Sequence, residues 1–138
     1  MTDKLYIDAN IIVSFVIKNH IGHIISEKIL KEVETDKYIG YISILSIDEC
    51  LHTLYKKYKL PKNKIEVLLY NILNIKNIRT VQTPRIRLRK YINIWHITNL
   101  KPRDAAHLYL MRINEIKYIA TSDKHFIKNQ KSLEIKVI

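Results

Sequence analysis

Apolar positions recur along this chain in two rhythms, one alternating and one spaced at three and four residues. The first run, "KLYI" at residues 4–7, reads as a short strand, and residues 9–18 ("ANIIVSFVIK") read as a mostly apolar helix. Residues 20–34 place apolar side chains at helical spacing, so an amphipathic helix is expected there. The β-branched and aromatic stretch 38–43 ("YIGYIS") predicts a second strand, and 46–58 a helix with a basic end. A helix over 61–76 opens on Pro61, a residue suited to a first helical turn. A strand at 78–82 follows, then a helix over 84–98 opening on Pro84, then a helix over 102–116. The chain finishes as strand 117–121, a short helical turn "DKHFIKN", and strand 133–138.

Strands that alternate with helices pair in parallel through helical crossovers. The expected architecture is therefore α/β: a three-layer sandwich with a mainly parallel central sheet of four or five strands and helices on both faces. With 138 residues, 2 Gly and 3 Pro, the chain suits one domain over residues 1–138 with no flexible linker. No apolar run reaches the ~20 residues of a membrane helix. The N-terminus lacks the pattern of a signal peptide, and the single cysteine, Cys50, excludes an internal disulfide framework. A soluble cytoplasmic protein is expected.

Charge changes the picture. Against 13 Asp and Glu stand 24 Lys and Arg, a net charge of +11. Such an excess attracts polyanions, nucleic acid first among them, although abundant Lys, Ile and Asn also fit a genome biased in composition. Basic runs lie at 55–59 ("YKKYK") and 85–90 ("RIRLRK"). With Tyr91 and Trp95 close to the second run, a single strand could be held and stacked, unless Trp95 belongs to the core.

Open parallel sheets bind ligands at the carboxyl ends of their strands. Four acidic residues fall at that edge. Asp8 closes the first strand. Glu49 lies in the first turn of the helix after the second strand, Asp104 lies in the first turn of helix 102–116, and Asp123 follows strand 117–121. Each also has a local use: Asp8 and Asp123 as helix caps, Ser46 with Glu49 as a capping box, and Asp104 as a partner of the helix dipole. Their joint placement is what suggests more. Clustered carboxylates repel one another unless cations intervene, and all-oxygen donors suit Mg²⁺ or Mn²⁺ better than Zn²⁺. An acidic, metal-binding pocket in a basic protein is an arrangement suited to cutting nucleic acid.

The segments "YIDAN", "SIDEC", "RDAAHL" and "ATSDKHF" resemble the four motifs of PIN-domain nucleases. Length and element order match over essentially the whole chain, and the small VapC-like members are closest in size. The resemblance implies a Mg²⁺- or Mn²⁺-dependent endoribonuclease with Asp8, Glu49, Asp104 and Asp123 as metal ligands. It implies hydrolysis that leaves a 5′-phosphate and a 3′-hydroxyl. It places Asn10 and Thr121 as supporting polar groups, and it suggests a small antitoxin partner and a homodimer, for which helices 9–18 and 65–75 could supply surface. His125 stands where many relatives carry another acid, which leaves one metal or two open. Arg103, Lys101 and Lys124 are the expected RNA contacts.

Four other readings are set against this. Acid-x-x-His pairs at Glu49/His52 and Asp104/His107 suggest a di-iron bundle, but that needs four long helices uninterrupted by strands. Both histidines are instead expected to pack one turn inward or to hydrogen-bond a ligand carboxylate. A phosphatase-like site would want a second acid where Asn10 stands. A non-catalytic RNA-binding module would have no use for four clustered acids, and an RNA-processing nuclease without an antitoxin is the remaining alternative.

Overall fold

The computed structural model describes residues 2–82 and 87–138. Strand β1 (Asp3–Ile7) leads into α1 (Ala9–Val16) and α2 (His23–Glu34), then β2 (Tyr38–Ile42) and α3 (Ile44–His52). Helix α3 continues into a π-helical turn at Thr53–Lys57, followed by α4 (Lys62–Leu73) and β3 (Ile78–Thr80). Helices α5 (Leu88–Ile97) and α6 (Pro102–Ile113) precede β4 (Tyr118–Ala120), α7 (Lys124–Asn129) and β5 (Lys136–Val137).

All strand pairings are parallel, in the order β3-β2-β1-β4-β5. Successive side chains of β1 point to opposite faces, and each face has its own core. Leu5 and Ile7 pack with Ile12, Val33, Cys50, Leu54 and Leu69 from α1 to α4. Tyr6 points the other way, into a core with Ile94, Leu108, Met111 and Phe126 from α5, α6 and α7. The chain winds from β1 outward through β2 to β3, then crosses back to β4 and winds the other way. The carboxyl ends of β1 and β4 therefore flank the point where winding reverses, the usual ligand crevice of such sheets. This is the expected sandwich, with β1 at its centre.

Boundaries moved in several places. The first helix stops at Val16, and the second begins only at His23 with Gly22 as its cap, so residues 17–22 form a connection. The start at Pro84 lies outside the described residues, and α5 is seen from Leu88. The last strand shortens to Lys136–Val137. Trp95 is 45% exposed, so the core assignment is wrong for it: α5 buries Ile94 and turns the indole outward. In helix 9–18, Ile11, Ile12 and Val13 are spent in the core, and Phe15, Val16 and Ile17 are partly buried against it. Helix α4 keeps Val67 and Tyr70 exposed. Among the described residues, no helix is long and apolar enough to cross a membrane.

Candidate active site

Asp8 is the N-cap of α1, with extended backbone and its Oδ1 accepting from the Ala9 N–H at 2.7 Å. Its Oδ2 accepts from the Thr121 hydroxyl at 2.7 Å and from Nδ2 of Asn10 at 3.1 Å. The Asp8 N–H donates to the Ala120 carbonyl at 3.0 Å, stitching the end of β1 to that of β4. Asn10 closes the clasp by accepting from the Ser122 N–H at 3.1 Å, while Thr121 Oγ1 accepts from the Asp123 N–H at 3.0 Å. Cap and site are thus one arrangement. Burial pushes the Asp8 carboxyl above its ordinary value of 3.8, with His107 and the Thr121 bond opposing the rise.

Glu49 is held from below. Its Oε1 accepts from Nε2 of His107 at 2.5 Å, and Nδ1 of His107 meets the Tyr6 hydroxyl at 2.5 Å. An ionised carboxylate only accepts, so Nε2 carries the proton and Nδ1 accepts from Tyr6. Burial pushes the Tyr6 phenol far above its ordinary value of 10, so it keeps the proton it donates. Ser43 Oγ lies 2.6 Å from Tyr6 Oη and completes the chain. Ser43 is also the N-cap of α3, accepting from the Ser46 N–H at 3.1 Å. This overturns the Ser46–Glu49 capping box: Ser46 lies inside the helix and donates to the Ile7 carbonyl at 3.1 Å, leaving Glu49 free to face the site. His107 is 1% exposed, as expected of a residue packed behind the acids. His52 is not; it is exposed and lines a separate groove with residues of α3 and α4.

Asp104 lies in the first turn of α6 behind Pro102, and Asp123 caps α7 by accepting from the His125 N–H at 2.8 Å. Asp8, Glu49, Asp104 and Asp123 all line one cleft of about 240 Å³. Burial, then the charge of Asp123, raises the Asp104 carboxyl above 3.8. One ligand atom each from Asp8, Glu49 and His107 lies within 4.8 Å of the others; Asp104 and Asp123 line the same cleft outside this tight group. The donor set fits a hard divalent cation: four carboxylates, two of them held above their ordinary range by burial and mutual charge, which a cation would relieve. With its Nε2 bound to Glu49, His107 orients a donor carboxylate.

Lys101 and Arg103 line a second groove that shares Asp104 and Asp123 with the cleft. Lys124 is exposed on α7 and is not among the residues lining either space. Two residues on the wall of the acidic cleft escaped the sequence reading, His20 and Lys57. The sequence pattern predicts His20 in a helix, but it belongs to the connection before α2, where its Nδ1 accepts from the Gly22 N–H at 2.9 Å. In the sequence Lys57 is one residue of a basic run; in the structure it ends the π-helical turn and lines the cleft. No spacing in the sequence announces that turn.

The PIN domain family model matches residues 5–131, and the chain belongs to the PIN domain family. Solved structures of similar fold include VapC20 of Mycobacterium tuberculosis, described as a sarcin–ricin loop cleaving toxin. It is 11% identical, with a TM-score of 0.65 over 91% of this chain and 94% of that one. VapBC2 from Rickettsia felis, solved bound to a promoter DNA fragment, matches with TM-score 0.65 and 14% identity over 97% of this chain and 96% of that one. FitAcB from Neisseria gonorrhoeae matches with TM-score 0.61 and 16% identity over 97% and 96%. At such identities the likeness is one of fold. A search of curated protein sequences finds no significant match.

Proposed function

We propose that this protein is a divalent-metal-dependent endoribonuclease, the toxin of a toxin–antitoxin pair. The observation that carries the reading is the convergence of four carboxylates, from four separate segments, on one cleft of a chain with net charge +11. Membership of the PIN family supports it, as does the description of the Mycobacterium tuberculosis relative as a loop-cleaving toxin. The naming of two relatives as VapBC and FitAcB assemblies supports a small antitoxin partner.

Asp8, Glu49, Asp104 and Asp123 would hold the cation, Mg²⁺ or Mn²⁺. That cation supplies activation of water and neutralisation of charge on the phosphate. The chain contributes position. Asn10 and Thr121 hold Oδ2 of Asp8 and the Ala9 N–H holds its Oδ1, which fixes the carboxylate at the cleft, and His107 keeps Glu49 there. Lys101 and Arg103 stand beside Asp104 to draw the RNA backbone toward the carboxylates, and Lys124 and Lys57 add cationic surface. The products implied are a 5′-phosphate and a 3′-hydroxyl.

The test is cleavage of RNA by the purified protein with Mg²⁺ or Mn²⁺. We expect Asp104→Asn to cut at least ~100-fold more slowly, a loss on the scale of removing transition-state stabilisation, while still binding RNA. Chelation of the metal should stop cleavage. A variant that cuts as fast as the parent would remove Asp104 from the chemistry, and a parent that binds RNA but cuts none with either metal would favour a non-catalytic RNA-binding role.

A further inference from the structure

The imidazole of His107 stands between two environments. Its Nε2 side meets carboxylates, Glu49 Oε1 at 2.5 Å and Asp8 Oδ1 at 4.0 Å, and the three donor atoms lie within 4.8 Å of one another. Its Nδ1 side meets a line of hydroxyls. Tyr6 Oη lies 2.5 Å from Nδ1 and 2.6 Å from Ser43 Oγ. Ser43 Oγ lies 3.3 Å from Ser46 Oγ, and Ser46 donates to the Ile7 carbonyl at 3.1 Å. Tyr6, Ser43, Ser46 and His107 are each at most 2% exposed, so water does not replace a partner lost from this line.

A hydroxyl both donates and accepts, so the line can be ordered in two complete ways. In the first, Nε2–H donates to Glu49 and the Tyr6 hydroxyl donates to Nδ1. In the second, Nδ1–H donates to Tyr6, Tyr6 to Ser43, Ser43 to Ser46 and Ser46 to the Ile7 carbonyl. Neither order leaves a polar atom of the line unpaired. The second turns the Nε2 lone pair toward Glu49 and Asp8, and acceptors that close repel unless a cation lies between them. Passing to it releases one proton from Nε2 to water and takes one from water at Nδ1, so the charge of the ring is unchanged. An imidazole that ligates a metal through one nitrogen almost always donates a hydrogen bond through the other. The line of hydroxyls supplies that acceptor in advance. Imidazole suits borderline ions such as Zn²⁺, whereas Mg²⁺ and Mn²⁺ suit oxygen donors. Resting on the reading of the acidic cleft as a cation site, we propose that His107 is a conditional ligand. It remains a donor to Glu49 when the cleft takes Mg²⁺ or Mn²⁺, and it joins Asp8 and Glu49 as a nitrogen ligand when the cleft takes Zn²⁺. Tyr6 is the positioning residue that allows the exchange.

The test is nitrogen NMR of the full chain with isotope-labelled histidine rings, at a single pH near neutral, where protonated, bare and ligated ring nitrogens have distinct shifts. The His107 signals are assigned through the contact of its ring with that of Tyr6, 5.5 Å away between centroids. Before any ion is added, and with Mg²⁺, Nε2 should carry the proton. One equivalent of Zn²⁺ should strip Nε2 and leave the proton on Nδ1. Calorimetry supplies the second readout. Tyr6→Phe cannot accept from Nδ1–H, so it should bind Zn²⁺ about 10–100-fold more weakly, the scale of losing a partner behind a ligating histidine. It should bind Mg²⁺ and Mn²⁺ as the parent does, which also shows that the variant is folded. Zn²⁺ that leaves Nε2 protonated would overturn the proposal, as would reversal with Mg²⁺ or a Tyr6→Phe protein that keeps its Zn²⁺ affinity or loses all three ions equally. Parent protein that binds Mg²⁺ or Mn²⁺ but shows no Zn²⁺ response at His107 keeps the cation site and loses the conditional ligand; binding of none of the three ions removes both. RNA cleavage is read separately: reversal with Zn²⁺ in a protein that cuts no RNA keeps the ligand exchange and loses the nuclease.

Discussion

Asp104 carries a cost in the metal-free protein that its function explains. Its carboxyl is half-buried and faces Asp123, so both burial and like charge disfavour its ionised form. A carboxyl raised in the folded state stabilises the fold least where it must ionise, so its penalty is absent well below pH 3.8 and grows as pH rises through and above that value. Asp104→Asn should therefore raise the metal-free melting temperature at neutral pH by a few degrees, and the gain should shrink as pH falls and vanish once it is well below 3.8 in a thermal scan. Substitution of a residue that serves only the fold would lower the melting temperature at both. His107 makes the opposite case. It anchors Glu49 and receives the Tyr6 hydroxyl, so His107→Leu strands buried polar groups and should cost about 2–3 kcal/mol in urea unfolding. It should also weaken Mn²⁺ binding measured by calorimetry, because Glu49 is no longer held in place.

At the scale of elements, helix termini set the site. Asp8, Asp104 and Asp123 all lie at or within the first turn of a helix, where the backbone dipole favours negative charge. Helix α3 shows how a small shift of a boundary matters. With Ser43 as its cap, the helix begins at Ile44, so Glu49 lies in its second turn and not in the first as the sequence predicts, pointing to His107. Ser43→Ala removes that cap and one partner of Tyr6 together and should cost about 1–2 kcal/mol by chemical denaturation. The π-helical turn at Thr53–Lys57 then puts Lys57 on the acidic cleft and Tyr55 and Lys56 on a separate groove between α3 and α4. Such single π turns in α-helices are frequent at functional sites.

At the scale of the molecule, a chain of net charge +11 concentrates four of its 13 acids on one cleft. The basic surface draws RNA in, and the cleft repels phosphate until a cation is bound. Binding to single-stranded RNA should therefore weaken steeply with salt: four or five phosphate contacts give a log–log slope of about −3. A flat dependence measured in EDTA would show that the charge does not read phosphate. The parallel order with β1 at the centre places Asp8 at the point where the winding reverses, beside the loop after β4.

What the sequence determined by itself was whatever local chemistry controls. The β-branched runs, helical spacing and Pro102 specified strand–helix order, and that order, with the rule that ligands gather at strand ends, drew Asp8, Glu49, Asp104 and Asp123 to one edge before any contact was known. Signals shared by several outcomes misled. The S-x-x-E of Ser46 and Glu49 is a valid capping pattern, but Ser43 one turn earlier took the cap, because Ser46 could satisfy the buried Ile7 carbonyl. Helical spacing put His52 and His107 on equal terms; only the packing of α6 against β1 buries His107 under Glu49, while α3 turns His52 to solvent. The places of Lys57 and His20 were decided by tertiary structure alone. Each depends on a π-helical turn or a connection, and the energy of such an arrangement comes from partners that are far away along the chain.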